Sequence, residues 1–147
     1  MKIGFTGTRQ GMTPLQSSAF CCVVAKLLRD STEFHHGDCV GSDAEAHEAA
    51  ALVAKWTIVI HPPLNPRYQA HCGDLQSRFA AVKTLERKDY LERNVDIVDA
   101  TDVLIATPAS HSEELRSGTW STVRYAEKLG RPITIVYPDG AVSSHSG

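Results

Sequence analysis

The sequence predicts an α/β domain of Rossmann-like, three-layer type, with about five parallel strands and helices on both faces. Two observations predict it. Short apolar runs (Ile3-Gly4-Phe5, Thr57-Ile58-Val59-Ile60, Val103-Leu104-Ile105-Ala106, Ile133-Thr134-Ile135-Val136) alternate with segments of helical spacing. A strand buried on both faces reads as a continuous apolar run, and strand–helix alternation gives a parallel sheet covered by helices. The turns that follow several of these strands are rich in glycine and hydroxyl side chains, as in sheets that bind ligands beyond the carboxyl ends of their strands.

Each element follows from local signals. Lys2 to Thr6 reads as a strand, and Thr13 to Arg29 as a helix with Leu15, Ala19, Cys22, Val23, Lys26 and Leu27 near helical spacing. Thr13 caps that helix, Pro14 suits its first position and Gln16 completes a capping box. Glu33 to His36 is a second strand, and Ser42 to Ala54 a helix with a capping box expected from Ser42 and Glu45. Thr57 to His61 is a third strand. The stretch from His61 to Phe79, with Pro62, Pro63, Pro66 and Gly73, reads as a long loop of the kind that forms lids. A helix is expected from about Thr84 to Ala100, a fourth strand from Asp102 to Thr107 and a polar loop from Pro108 to Arg116. The last helix, Gly118 to Leu129, is closed by Gly130 and Pro132, and Ile133 to Tyr137 is the last strand. Residues 1–140 are read as one domain and 141–147 as a frayed tail.

Composition narrows the class. The chain has 147 residues, 42% hydrophobic and 22% charged, enough to bury a core without disulfides or metals. Its net charge of −2 argues against nucleic acid and anionic membranes as partners. No run is long and apolar enough to span a bilayer. The four cysteines (Cys21, Cys22, Cys39, Cys72) lack C-x-x-C spacing and read as reduced thiols, so a cytoplasmic location is expected.

Three loops carry the chemistry. The first, Thr6-Gly7-Thr8-Arg9-Gln10-Gly11, lets backbone approach an anion and adds a guanidinium, or else is an ordinary strand-to-helix turn. The second, Gly37-Asp38-Cys39-Val40-Gly41-Ser42-Asp43, places Asp43 in the first helical turn, where it either complements the helix dipole or accepts hydrogen bonds from a ribose. The third, Ser117-Gly118-Thr119-Trp120-Ser121-Thr122, offers donors at a helix N-terminus or a simple serine cap. All three follow strands, so in a parallel sheet they emerge at one edge and together predict a phosphate cradle.

Other residue types have two readings each. His35 and His36 point to opposite faces of a strand, which argues against one ion held by both, and no metal is expected. His47 reads as an exposed helix residue or a pocket residue, and His61, His71 and Cys72 as surface or lid. Tyr90 and Arg93, one turn apart, could stack on a base and hold a phosphate, or be a packing residue beside a solvated arginine. Trp120 reads as core before base stacking.

The order Gly7-Thr8-Arg9, Gly37-x-x-x-Gly41-x-Asp43, Arg93-Asn94 with Asp102-Val-Leu-Ile-Ala106, and Ser117-Gly118-Thr119 resembles the SLOG superfamily over nearly the whole chain. That superfamily includes LOG-type phosphoribohydrolases, the DNA-processing protein DprA, molybdenum-cofactor carrier-like proteins and the YspA-like group. The resemblance implies a modified Rossmann fold, a nucleotide or nucleotide-derived ligand and a homodimer or higher homo-oligomer. LOG enzymes space an arginine and an aspartate as Arg93 and Asp102 are spaced. Their Gly-Thr-x-x-Glu ends in a catalytic glutamate, whereas Gly118-Thr119 is followed here by Thr122 at that position.

The expected function is therefore binding or sensing of a nucleotide-derived ligand without turnover, with no further cofactor required. The expected ligand residues are Gly7, Thr8, Arg9, Gly37, Asp38, Gly41, Ser42, Asp43, Tyr90, Arg93, Ser117, Gly118, Thr119 and Thr122. The alternative is an N-glycosidic hydrolase or transferase on nucleoside 5′-monophosphates. In that case Arg93 would orient the phosphate, and Asp43, Glu113 or Glu114 would supply the missing carboxylate, with Arg93, Asp43 and Glu114 the expected catalytic set.

Overall fold

A computed structural model describes residues 1–53, 56–74 and 79–146 of the chain. Its strands are β1 (Lys2–Gly7), β2 (Glu33–His36), β3 (Thr57–Ile60), β4 (Ala81–Thr84), β5 (Val103–Thr107), β6 (Pro132–Val136) and β7 (Val142–Ser146). Its helices are α1 (Pro14–Leu27), α2 (Ser42–Ala50), α3 (Tyr90–Asp99) and α4 (Gly118–Lys128). The strands form one sheet in the order β4-β3-β2-β1-β5-β6-β7, and every pairing is parallel except β6 with β7. The Rossmann-like class thus holds, and the sheet has seven described strands where about five were expected.

Alternation along the strands sends side chains to two apolar layers. On one face Ile3, Phe5, Phe34, Ile58 and Ile60 pack against Phe20 and Val24 of α1 and Ala46 and Ala50 of α2. Rings chain through this layer, with centroids 5.3 Å apart for Phe5–Phe20, 5.9 Å for Phe5–Phe34 and 5.2 Å for Phe34–Trp56. On the other face Leu104, Ala106, Ile133 and Ile135 pack against Val98 of α3 and Trp120, Val123 and Ala126 of α4. Trp120 is therefore a core residue.

The helix starts show which local signals governed. At α1 the expected box forms: Thr13 Oγ1 accepts from Gln16 N and the Gln16 side chain accepts from Thr13 N. At α2 the expected box does not form. Gly41 is the N-cap, Ser42 is already helical, and its buried hydroxyl has no partner among the described residues. Glu45 instead reaches back to accept from Met12 N at 2.7 Å, tying α2 to the start of α1. The end of the helix expected over Ser42–Ala54 includes residue 54, which lies outside the described residues.

Two segments differ from expectation. The helix expected from Thr84 begins at Tyr90, capped by Asp89, and Ala81–Thr84 is instead the mostly exposed edge strand β4, parallel to β3. A half-solvated edge strand needs no continuous apolar run, which is why Ala-Val-Lys-Thr carries no strong strand signal. Residues 142–146 of the expected tail form β7. The turn Pro138-Asp139-Gly140 reverses the chain, with Gly140 at φ 86°, and Tyr137 N donates to Ala141 O at 2.8 Å to close the hairpin. Among the described residues no helix is long and apolar enough to cross a membrane.

Candidate functional site

The chain leaves β1, β2 and β5 at the same sheet edge, and β1 lies between the other two. Neighbouring strand ends therefore open onto one cleft of about 1230 Å³, at the point where successive connections leave in opposite directions. Its walls include Gly7, Thr8 and Arg9 from the first loop, Gly37 and Asp43 from the second, and Ser117, Gly118 and Thr119 from the third. Tyr90 and Arg93 of α3 and Glu114 of the polar loop also line it. Four of the expected ligand residues, Asp38, Gly41, Ser42 and Thr122, do not line the cleft.

The reasons are local. Asp38 is buried and serves the fold: its Oδ1 accepts from Cys72 N at 2.8 Å and its Oδ2 from Gln69 Nε2 at 3.0 Å. Thr122 turns its hydroxyl back onto Gly118 O within α4. Gly41 and Ser42 hold the first loop from beneath, and Ser42 N donates to Thr8 O at 3.0 Å. A Cβ on Gly7 would collide with Ser42 Cβ and Thr107 Oγ1, so only glycine fits where β1 meets this support.

Two oppositely charged buried side chains share the cleft floor. Asp43 Oδ2 accepts from Gly37 N at 3.2 Å and Cys39 N at 3.1 Å. Burial raises its carboxyl to about 6, against the opposing pull of the Arg93 charge. Arg93 is held by Gly37 O, by His61 O at 3.4 Å and by Asn94 Oδ1 at 2.8 Å, with Cys39 Sγ at 3.8 Å. Arg93 and Asp43 form no ion pair with each other among the described residues. The arginine is thus positioned by carbonyls rather than neutralised by a carboxylate, and retains charge for a ligand.

At the mouth, the Arg9 guanidinium lies 4.0 Å over the Tyr68 ring, and that of Arg67 lies 5.1 Å from it. Tyr68 belongs to the proline-rich loop, which docks onto the second glycine loop: Val40 N donates to Tyr68 O and Ala70 N to Asp38 O, each at 2.8 Å. Pro63, Leu64, Asn65, Pro66 and Tyr68 therefore form a wall of the cleft. His61, His71 and Cys72 of that loop take no part in it. Arg116 also lines the cleft, exposed and in no ion pair among the described residues.

Other expected partners stand apart. Asp102 lies at the opposite sheet edge, where its Oδ2 accepts from Lys2 N at 2.7 Å, so it does not meet Arg93. Glu113 pairs with Arg124 at 2.8 Å. Glu114 accepts from Ser110 Oγ at 2.6 Å on the exposed rim. His47 is neither exposed nor in the cleft: it is buried, with Nδ1 2.8 Å from His36 Nε2.

His36, His47 and Cys72 bring two ring nitrogens and a thiol within 4.8 Å of one another. Asp38 N donates to His36 Nδ1 at 3.0 Å, which leaves the proton of the neutral ring on Nε2, the atom facing His47. A metal would need that nitrogen bare. Burial also raises the Cys72 thiol, which Asp38 reinforces. His36 and His47 are thus a hydrogen-bonded pair, and Cys72 bonds to Asp38 beside them.

No known protein family matches the chain, and no curated protein does. Several solved structures resemble it in three dimensions, and two illustrate the likeness. The molybdenum cofactor binding protein from the phototrophic bacterium Rippkaea orientalis superposes with a TM-score of 0.65 at 21% identity, covering 92% of this chain and 76% of that one. The X-ray structure of TM1055 superposes with a TM-score of 0.60 at 14% identity, covering 90% and 71%. This likeness shows the fold.

Proposed function

We propose that this domain, a SLOG-type protein by the resemblance of its loops, binds a nucleotide or nucleotide-derived ligand by its phosphate and does not turn it over. The observation that carries this reading is the convergence of the Gly7-Thr8-Arg9 loop and the α4 N-terminus on one cleft. The α4 terminus adds the first-turn N–H groups of Gly118 and Thr119 and the positive end of a helix dipole. Arg9 and Arg116 bring exposed cations, while Tyr68, Tyr90 and Leu64 offer apolar surface to a flat ring. The cofactor-binding neighbour fits this reading. Four unpaired cysteines suit a cytoplasmic protein. The resemblance further implies a homo-oligomer, which the mass in solution tests.

Thermal shift against nucleoside mono-, di- and triphosphates tests the ligand class. A ligand at a hundred times its Kd adds about 2.7 kcal/mol, a rise of roughly 5–10 °C for a domain of this size. Arg9→Ala should weaken phosphate-bearing ligands about tenfold, the loss of one charge-assisted contact, and leave the unliganded melting temperature within about 2 °C. If no phosphate compound shifts the transition, the proposal is wrong.

One observation favours a second reading. Asp43, poised at about 6 inside the cleft, has the proton affinity of a general acid–base group. With Arg93 and Glu114 on the same walls, it could serve N-glycosidic hydrolysis of a nucleoside 5′-monophosphate. Free base released in the same titrations would establish turnover.

A further inference from the structure

We infer that the floor of the cleft reads the hydroxyl groups of a ribose, so that the ligand is a ribonucleotide-type molecule with a free 2′,3′-diol and its deoxy counterparts are rejected. This rests on the nucleotide reading above and adds which part of the ligand goes where. Asp43 is 5% exposed and lines the cleft. Its Oδ2 is filled by the amides of Gly37 and Cys39, but its Oδ1 has no partner among the described residues. Thr119, also 5% exposed and lining the cleft, has a hydroxyl with no partner among the described residues. Neither atom is wholly buried: both reach the open space of the cleft, and a ligand group that pairs with the carboxylate oxygen brings a donor.

A hydroxyl suits that oxygen better than a phosphate dianion, which brings no donor and is repelled by the carboxylate; the phosphate is better served by Arg9 and the start of α4. Asp43 follows β2, whereas α4 follows β5, with β1 between them. Two strand spacings of about 4.8 Å separate those ends. A sugar 5′-phosphate is built for such a span, with its phosphate at one end and its hydroxyls at the other. The base then projects toward the exposed rings of Tyr90 and Tyr68 at the rim, 52% and 41% exposed. A carboxylate fixed through one oxygen and open at the other accepts from one hydroxyl or from both of a vicinal pair.

The experiment is calorimetric titration of the intact protein with ribonucleoside 5′-monophosphates, their 2′-deoxy and 3′-deoxy counterparts, ribose 5-phosphate and 2-deoxyribose 5-phosphate. The wild-type protein should bind the ribo forms at least tenfold more tightly, because a site built to bond a hydroxyl is left unpaired by the analogue that lacks it. Asp43→Asn, which offers an amide in place of the open oxygen, should bring ribo and deoxy ligands within threefold of each other. The wild-type comparison stands even if the variant fails to fold. Equal binding of ribo and deoxy forms overturns this inference and leaves the phosphate reading standing. Absence of binding by every phosphate compound overturns both.

Discussion

Gly41→Ala will destabilise the domain by about 3 kcal/mol and lower its melting temperature by roughly 6–12 °C. Gly41 caps α2 with φ 87° and ψ −127°, a conformation that side chains rarely adopt. A Cβ there would lie 2.5 Å from the carbonyl carbon of Arg9 and 2.8 Å from Thr8 O, and closer still to Arg9 O. These are backbone atoms of the first loop, so no side-chain rotation relieves the clash. The loop must move, and the Ser42 N–H to Thr8 O bond that clamps it is strained or lost. Arg9 moves with its own carbonyl, so phosphate affinity should fall along with stability. Gly118→Ala is the control. Nothing lies within 4 Å of a Cβ at Gly118, so that variant should melt within about 1 kcal/mol of wild type. Thermal melts followed by circular dichroism decide it, and a Gly41→Ala transition within 2 °C of wild type would show that the two loops do not meet this closely.

Gly41 also marks what could be read from the sequence. Glycine beside a helix start is legible as a loop residue, but whether it touches ligand or its neighbouring loop depends on a contact between residues 32 positions apart (9 and 41). The strand–helix alternation was legible because central strands buried on both faces must be apolar throughout, as in Ile105 and Ile58. The edge strands obey no such demand. For β7 a signal was present in Pro138-Asp139-Gly140, a strong turn sequence between a strand and a polar alternating segment. The three cleft loops were legible from their glycines and hydroxyls, and the parallel sheet brings them to one edge without further information. The stretch containing Pro63 to Tyr68 was legible as a loop of the kind that forms lids, but not as a fixed wall, because it reaches the cleft through Val40 and Asp38, far away in sequence. His47 was misread as exposed for a related reason: the partner that makes its burial tolerable, His36, sits on a strand, and no helical pattern announces it.

Acid will unfold this domain well before its carboxylates are exhausted. Burial lowers His36 well below the ordinary histidine value, lowers His61 to about 4, and lowers His35 and His47. Each ring is bonded in its neutral form, His36 to His47 and His61 to His35, at 2.8 Å. The unfolded chain protonates these histidines near 6.5 while the native state does not. Their contribution is therefore fully present above pH 6.5 and is lost as pH falls from there through the native value, near 4 for His61. Asp43 works in the opposite sense. Its native carboxyl, raised to about 6 from 3.8, takes a proton that the unfolded chain does not, so it offsets part of the loss between those values. Four histidines bind more protons in the unfolded than in the native state while Asp43 alone works against them, and each net proton taken up on unfolding is worth about 1.4 kcal/mol per pH unit. Denaturant unfolding should accordingly show stability level from pH 8 to 7 and falling steeply below 6, with net proton uptake on unfolding measured at pH 5.5. His61→Gln removes one titrating ring and should flatten the decline between pH 6.5 and 4 while lowering stability at pH 7. A stability profile level down to pH 4.5 would mean that these rings accept protons in the native state. It would also mean that the core does not depend on the neutral pairs His36–His47 and His35–His61.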